Sequence, residues 1–343
     1  MIGPVSTALA PDLAPPTTPG GRGGGTVRHL ATKLGGAVVS LLMVIVLGFF
    51  LFRVLPGDPV KTITRGAPVG PQQLAALRHE LGLDKPIAAQ FVDYLAQLAR
   101  GDLGESYQFR VPVSTLIGER IGPTVLLVGV ATALAILVGL WLGTRAAWRR
   151  GSRFDRISTG VALLLWSAPT FWLGLVLLTV TGNLFPSQGL INPNTPAGFL
   201  PQTLDLLHHL TLPCLTLVAV LYAQYLLVMR SSLLEEMNAD YLVTAKAKGL
   251  RDDLVRRRHA VPNAMLPTVT LIFLNLGLVV SGAVTVETVF SWPGLGLLTY
   301  QALQGPDLPL LQGLFVVLAG AVLVMNLIAE LLYQVIDPRV RAT

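Results

Sequence analysis

Apolar positions in this chain come less as the three-and-four repeat of a half-buried helix than as long unbroken runs. Six stretches carry no Asp, Glu, Lys or Arg: Leu34–Phe52, Ile121–Thr144, Ile157–Phe185, Leu206–Met229, Ala264–Val286 and Leu308–Ala329. Each holds 19 or more residues, close to the roughly 20 that a helix needs to cross a hydrocarbon layer of ~30 Å. Outer-membrane strands would show alternating segments of about ten residues instead, and none are visible. The pattern predicts six membrane-spanning helices. The first run exceeds the roughly 7–15 residues of a secretory signal core. It leads into Arg53 and Pro56-Gly57-Asp58-Pro59 rather than a small-residue cleavage site, so it reads as a retained helix.

Composition agrees. Apolar residues make up 52%, mean hydropathy is +0.63, and charged residues make up only 13%, against about 25% in soluble domains. A surface that apolar has to face lipid. The single cysteine, Cys214, excludes an internal disulfide framework and any Cys-based metal cage.

Charge sets the expected orientation. The segments outside the six runs carry, in chain order, three, eight, five, none, seven, none and two Lys plus Arg. Rich and empty segments alternate except at residues 53–120. That segment is 68 residues long and nearly balances its cations with seven acids, and loops beyond about 60 residues escape the positive-inside rule. Both termini are therefore expected in the cytoplasm. The net charge of +6 becomes a topology signal, and nucleic-acid binding is not expected.

Residues 1–33 form the expected tail, basic at its end and, through residue 26, rich in Pro, Gly, Ala and Thr. Such a composition predicts cytoplasmic disorder. The membrane domain is then 34–343. Its external cap, 53–120, shows two helical patterns. Gln72–Leu83 carries Leu74, Leu77 and Leu81 behind Pro71, and Ile87–Arg100 carries Ile87, Phe91, Leu95 and Leu98 before Gly101. Val113–Arg120 reads as an amphipathic lead-in to the second span. The cap is either a packed connection or a surface for an external partner. Pro169 and Pro213 lie inside the third and fourth runs and predict kinks. His208 and His209 are neighbours that point about 100° apart on a helix, with no third ligand in view, so they read as interfacial packing.

The connection 230–261 is more elaborate. Leu233, Met237, Tyr241 and Ala245 recur every four residues and predict one amphipathic helix, stopped by Gly249. A second short helix opens on Asp252-Asp253 and ends near Arg256-Arg257-Arg258, the favourable order for a helix dipole. The element reads either as a docking handle for a soluble partner or as a charged loop that enforces topology. No ionisable residue sits at mid-depth in any run, no phosphate-cradling Gly-rich loop with Lys-Ser/Thr occurs, and no catalytic signature is present. A proton-coupled carrier would need a membrane-buried carboxylate. No catalytic, metal or cofactor residues are expected in this chain.

The segment Asp240-Tyr241-Leu242-Val243-Thr244-Ala245-Lys246-Ala247-Lys248-Gly249-Leu250 resembles the coupling loop of ABC-importer permeases, in the form used by the dipeptide/oligopeptide (and nickel) group. The likeness continues through Arg258-His259-Ala260 and Asn263-Ala264-Met265-Leu266-Pro267. Five more blocks are similar: Leu55-Pro56-Gly57-Asp58-Pro59, Leu81-Gly82-Leu83-Asp84-Lys85-Pro86, Gly101-Asp102-Leu103-Gly104, Val286 to Gly296 around Trp292-Pro293-Gly294, and Leu332-Tyr333 with Asp337-Pro338-Arg339-Val340-Arg341. The long loop expected outside resembles that of a B-type subunit. Two departures stand out. Val243-Thr244-Ala245 occupies the place of the family's Glu-Ala-Ala, and Pro262 stands where a basic residue is usual, which implies a shorter second loop helix.

The resemblance implies an all-α, type I importer-like permease fold in a bacterial cytoplasmic (inner) membrane, forming half of a translocation path for peptides. It implies a homologous second permease subunit, an extracytoplasmic substrate-binding protein, and two cytoplasmic ATPase subunits that bind the ATP and Mg. Asp240, Tyr241, Thr244, Ala245, Lys246, Lys248, Gly249 and Leu250 become the ATPase-coupling residues, with Tyr241, Ala245 and Gly249 as the leading contacts. Nickel chelates and glutathione-type compounds are the alternative substrates within the family.

Overall fold

The structure, a computed structural model, describes residues 24–54, 70–80, 83–281, 283–305 and 307–336. Two compact units are distinguished, residues 1–40 and 41–343. The first long helix, α1, runs Gly24–Val54 and contains the first predicted span. It starts within the expected tail: once the span is helical, each added residue brings one hydrogen bond without a new nucleation cost, so Thr26–Lys33 continue the helix. Residues 1–23 lie outside the described residues.

In the long connection that follows, α2 (Pro71–Glu80) and α3 (Ile87–Ala99) match the two helical patterns. Pro71 opens the first, and Gly101 leaves the second at φ +76°. α3 packs on the end of α1 through rings: Phe49 meets Phe91 at 5.1 Å and Tyr94 at 5.5 Å between centroids. The predicted lead-in and second span are one helix, α4 (Val113–Trp148), with Pro123 inside it.

The third predicted span is not one rod. It divides into α5 (Arg153–Ser167) and α6 (Thr170–Thr181), and the two halves meet at 106°. Ala168 sits at φ −76°, ψ 137°, the extended conformation that a following proline imposes on its predecessor. By contrast α7 (Phe199–Glu236) passes through Pro213 unbroken. Then come α8 (Asp240–Ala247), α9 (Asp252–Val255), a π-helical turn at Arg256–Ala260, α10 (Val261–Ala264), α11 (Leu266–Ser281), α12 (Val284–Val289), α13 (Leu295–Gln304) and α14 (Leu308–Ile336). Among the described residues four helices are long and apolar enough to cross a membrane, five if α5 and α6 form one span. The fifth predicted run holds the shorter α11.

The tightest packing is between α4 and α7. Ala131, Ala135, Gly139, Gly143 and Ala147 recur every four residues of α4 and are buried. A Cβ at Gly139 would lie 2.6 Å from that of Tyr225, and one at Gly143 would lie 2.6 Å from the Leu226 carbonyl oxygen. Small residues let the two backbones touch, which supplies dispersion where lipid removes the hydrophobic drive between helices. At one end of this pair Asp155, at the start of α5, takes Arg230 of α7 in a two-pronged ion pair of 2.6 and 3.0 Å, and also accepts the Gly151 N–H at 2.9 Å.

Candidate functional site

The connection between α7 and α11 folds against the end of α4. The predicted single helix from Leu233 to Ala245 is interrupted: α7 ends at Glu236, and Ala239 is extended at φ −76°, ψ 137° before α8 begins. Asn238 and Asp240 flank the break, residue types that favour caps and turns over helix interiors, and Asn238 Nδ2 donates to the Leu234 carbonyl at 3.3 Å. Leu233 therefore belongs to α7.

The break turns the apolar stripe inward. Leu233, Leu242, Ala245, Val255, Ala260 and Ala264 form one buried cluster with Ala147 and Met229. Ala245, expected at the point of closest approach to a partner, is packed inside this chain instead. The amphipathic period was visible, but the surface that covers the apolar face is the chain's own. The outward face of α8 consists of Asp240, Val243, Thr244, Ala247 and Lys248, spaced as one helical face, with Tyr241 and Lys246 flanking it. Val243 is 65% exposed, an apolar residue that the stripe reading passed over. The i,i+4 pair Val243 and Ala247 was its available signal.

Several contacts make the element stiff. The Tyr241 hydroxyl donates to the Glu236 carboxylate, accepts from Asn263 Nδ2 at 3.0 Å, and lies 3.4 Å from the His259 carbonyl oxygen. Burial, with the Glu236 carboxylate beside it, pushes its phenol above the usual range. Gly249 turns the chain at φ +79° with open space where a Cβ would go, so backbone conformation alone calls for glycine there. Its N–H reaches the Lys246 carbonyl at 2.9 Å, and that of Leu250 reaches Ala245 at 3.3 Å. Lys246 Nζ and Arg256 Cζ each lie 5.9 Å from the Trp148 ring centroid, clasping the end of α4 from α8 and from the π-helical turn. Lys246 also pairs with Asp252 at 3.3 Å.

A second polar site escaped the sequence pattern. Glu287 of α12 is fully buried. Its carboxylate accepts the Thr124 hydroxyl at 2.9 Å and the N–H groups of Gly296 and Leu297 at 2.7 and 3.1 Å. These last two are free donors in the first turn of α13, where negative charge is favoured. Trp292, also fully buried, donates Nε1–H to the Pro123 carbonyl at 2.9 Å. A Cβ at Gly294 would fall 2.3 Å from the Glu287 carboxylate, which explains the glycine beside Trp292-Pro293. Asp307 caps α14 in the same way, accepting Leu310 N–H at 3.2 Å, Gln108 N–H at 3.0 Å and the Ser106 hydroxyl at 2.5 Å. Both carboxylates serve as helix caps. His208 and His209 contact carbonyls of Leu184 and Asp205, each at 2.9 Å, in keeping with packing.

Residues 124–342, which include the 230–261 connection and the Glu287 site, match the family described as binding-protein-dependent transport system inner membrane component; residues 26–128 match its N-terminal companion. The chain belongs to this family. This permease is 42% identical over 322 residues to a putative peptide permease protein of Brucella suis, covering 92% of this chain and all of the relative. It is 36% identical over 335 residues to the dipeptide transport system permease protein of Escherichia coli K12, covering 92% and 99%. A putative peptide transport system permease protein of Brucella abortus is 37% identical over 313 residues, covering 90% and 97%. The permease is a multi-pass, all-helical membrane protein of the ABC-importer class.

Proposed function

We propose that this chain is one of two permease subunits of a peptide importer and that its α8–α10 segment receives the motion of a cytoplasmic ATPase. The reading places six spans and both termini as the charge pattern predicts, in a bacterial inner membrane. ATP and Mg belong to two ATPase partners, and an extracytoplasmic binding protein delivers the peptide. The peptide assignment rests on the relatives' names and on nothing in the geometry of the path.

The observation that carries the coupling role is the two-sidedness of α8. Its inner face is locked into the cluster around Leu233, Val255 and Ala260, while its outer face leaves Val243, Thr244, Ala247 and Lys248 exposed. A handle has to be fixed on one side and free on the other, because a loose one would dissipate the stroke before it reached the spans. Binding of ATP then biases the permease between two states through contacts that differ in each.

The test is site-specific crosslinking. A cysteine at position 243 or 248, in membranes holding the assembled transporter, should crosslink to the ATPase subunit, and one at position 242 should not. Uptake of a labelled dipeptide should require both ATP and the binding protein. Crosslinking at 242 in place of 243, or uptake driven by a pH gradient alone, would overturn the assignment.

A further inference from the structure

The hairpin of α4 and α5 carries a cluster of cations that the coupling role does not use. Arg145, Arg149, Arg150, Arg153 and Arg156 fall within its turn and flanks, and all are exposed. The one acid among them, Asp155, is engaged by Arg230. Arg149, Arg150, Arg153 and Arg156 have no carboxylate partner among the described residues. The hairpin therefore presents an uncompensated positive surface at the end of two membrane helices.

The apolar surroundings define its shape. On α4, Leu134, Leu137 and Trp141 are exposed and lead toward Arg145; on α5, Leu164, Val161 and Ile157 lead toward Arg153. Arg145 joins the two, its guanidinium lying 5.6 Å from both the Trp141 and the Phe154 ring centroids. Trp141, 59% exposed, sits where a membrane-interface aromatic would. An apolar strip that ends in an aromatic ledge and then in guanidinium groups matches an acyl chain followed by a phosphate.

We propose that the α4–α5 hairpin binds the phosphate of an anionic phospholipid, whose acyl chain lies along Leu137, Trp141 and Ile157. Arg groups are suited to this because their planar fork can take two phosphate oxygens at once. A soluble protein partner fits less well: the cations adjoin apolar surface, which such a partner would leave uncovered.

The experiment uses the full-length chain in detergent, titrated separately with phosphatidylglycerol, cardiolipin, phosphatidylcholine and inorganic phosphate, with retained ligand counted by native mass spectrometry. The expected result is retention of one or both anionic lipids over phosphatidylcholine. The pair Arg149→Gln and Arg153→Gln should lower that retention about fivefold for each arginine. Arg257→Gln with Arg258→Gln removes the same charge elsewhere and should leave it unchanged. Trp141→Ala, which alters no charge, should lower it too. Unchanged retention in the Arg149/Arg153 pair would overturn the proposal, as would an equal fall in the two pairs or phosphate held as well as the lipids. Loss of ATPase association in that pair, with lipid retention intact, would give the patch to a protein partner instead.

Discussion

Thr124 of α4 and Glu287 of α12, 163 positions apart in sequence, share a hydrogen bond of 2.9 Å, and the same Thr124 oxygen accepts the Leu295 N–H at 2.7 Å. One hydroxyl thus links the carboxylate to the helix that the carboxylate caps. The arrangement holds α4, α12 and α13 in fixed register.

Glu287→Ala should lower the melting temperature of the purified chain well beyond the effect of Glu287→Gln. The alanine leaves the Thr124 hydroxyl and two N–H groups buried without an acceptor, at about 1–3 kcal/mol each. The glutamine keeps an acceptor oxygen and the same volume. Equal melting of the two variants would show that the cap contributes little.

Gly143→Leu should separate α4 from α7. Even a Cβ would stand 2.6 Å from the Leu226 carbonyl oxygen, and overpacking of this kind costs about 1–3 kcal/mol or more. Gly129, which has nothing within 4 Å of an added Cβ, should accept alanine without loss. Melting curves of the two variants in one detergent give the comparison.

The two faces of α8 should respond differently to charge. Val243→Glu lies on the exposed face and should leave melting of the isolated chain within about 0.5 kcal/mol of the parent, while ATPase association and uptake fall. Ala245→Glu puts an unpaired carboxylate into a buried cluster and should destabilise the isolated chain itself. Co-purification and melting, read together, separate the effects.

Orientation is open to labelling. With Cys214 buried, cysteines placed at positions 90 and 195 should react with an impermeant reagent from outside, and one at 250 should not. Reaction at 250 from outside would invert the topology proposed above.

Asp84, exposed, accepts from His79 Nδ1 at 2.7 Å, and this bond holds its carboxyl below the usual carboxylate range. A carboxylate whose folded pKa is depressed adds stability above its unfolded pKa and loses it as pH falls through the folded one. The protection of amides in 70–100, corrected for intrinsic exchange, should therefore fall on acidification from the ordinary carboxylate range downward, and Asp84→Asn should lessen that fall. A parent-like pH response in the variant would remove Asp84 as its source.

The long charge-free runs made four long apolar helices and one bent pair legible, because a helix facing lipid shows its solvent in its composition. Their internal geometry was not. Pro169 broke its span and Pro213 did not, since whether a proline kinks or divides a helix depends on the neighbours that satisfy the freed carbonyls. The four-residue period of Leu233 to Ala245 showed that an apolar face exists but not which surface covers it. Asp307 ahead of Leu308-Pro309 was a readable N-cap. Glu287 was not, because the helix it caps begins eight residues later, beyond a turn that sequence spacing does not reveal.

The hydroxyl of Tyr241 ties the end of α7 to Asn263 of α10, on either side of α8. A lever with an elbow at Ala239 would bend there and leave the membrane helices still. The Tyr241 tie braces that elbow, so in the proposed coupling role a push on Val243 reaches α7 and the entry of α11 together. Under the coupling role proposed above, those two helices move as a linked pair, and the gate is driven by a triangle rather than by a hinge.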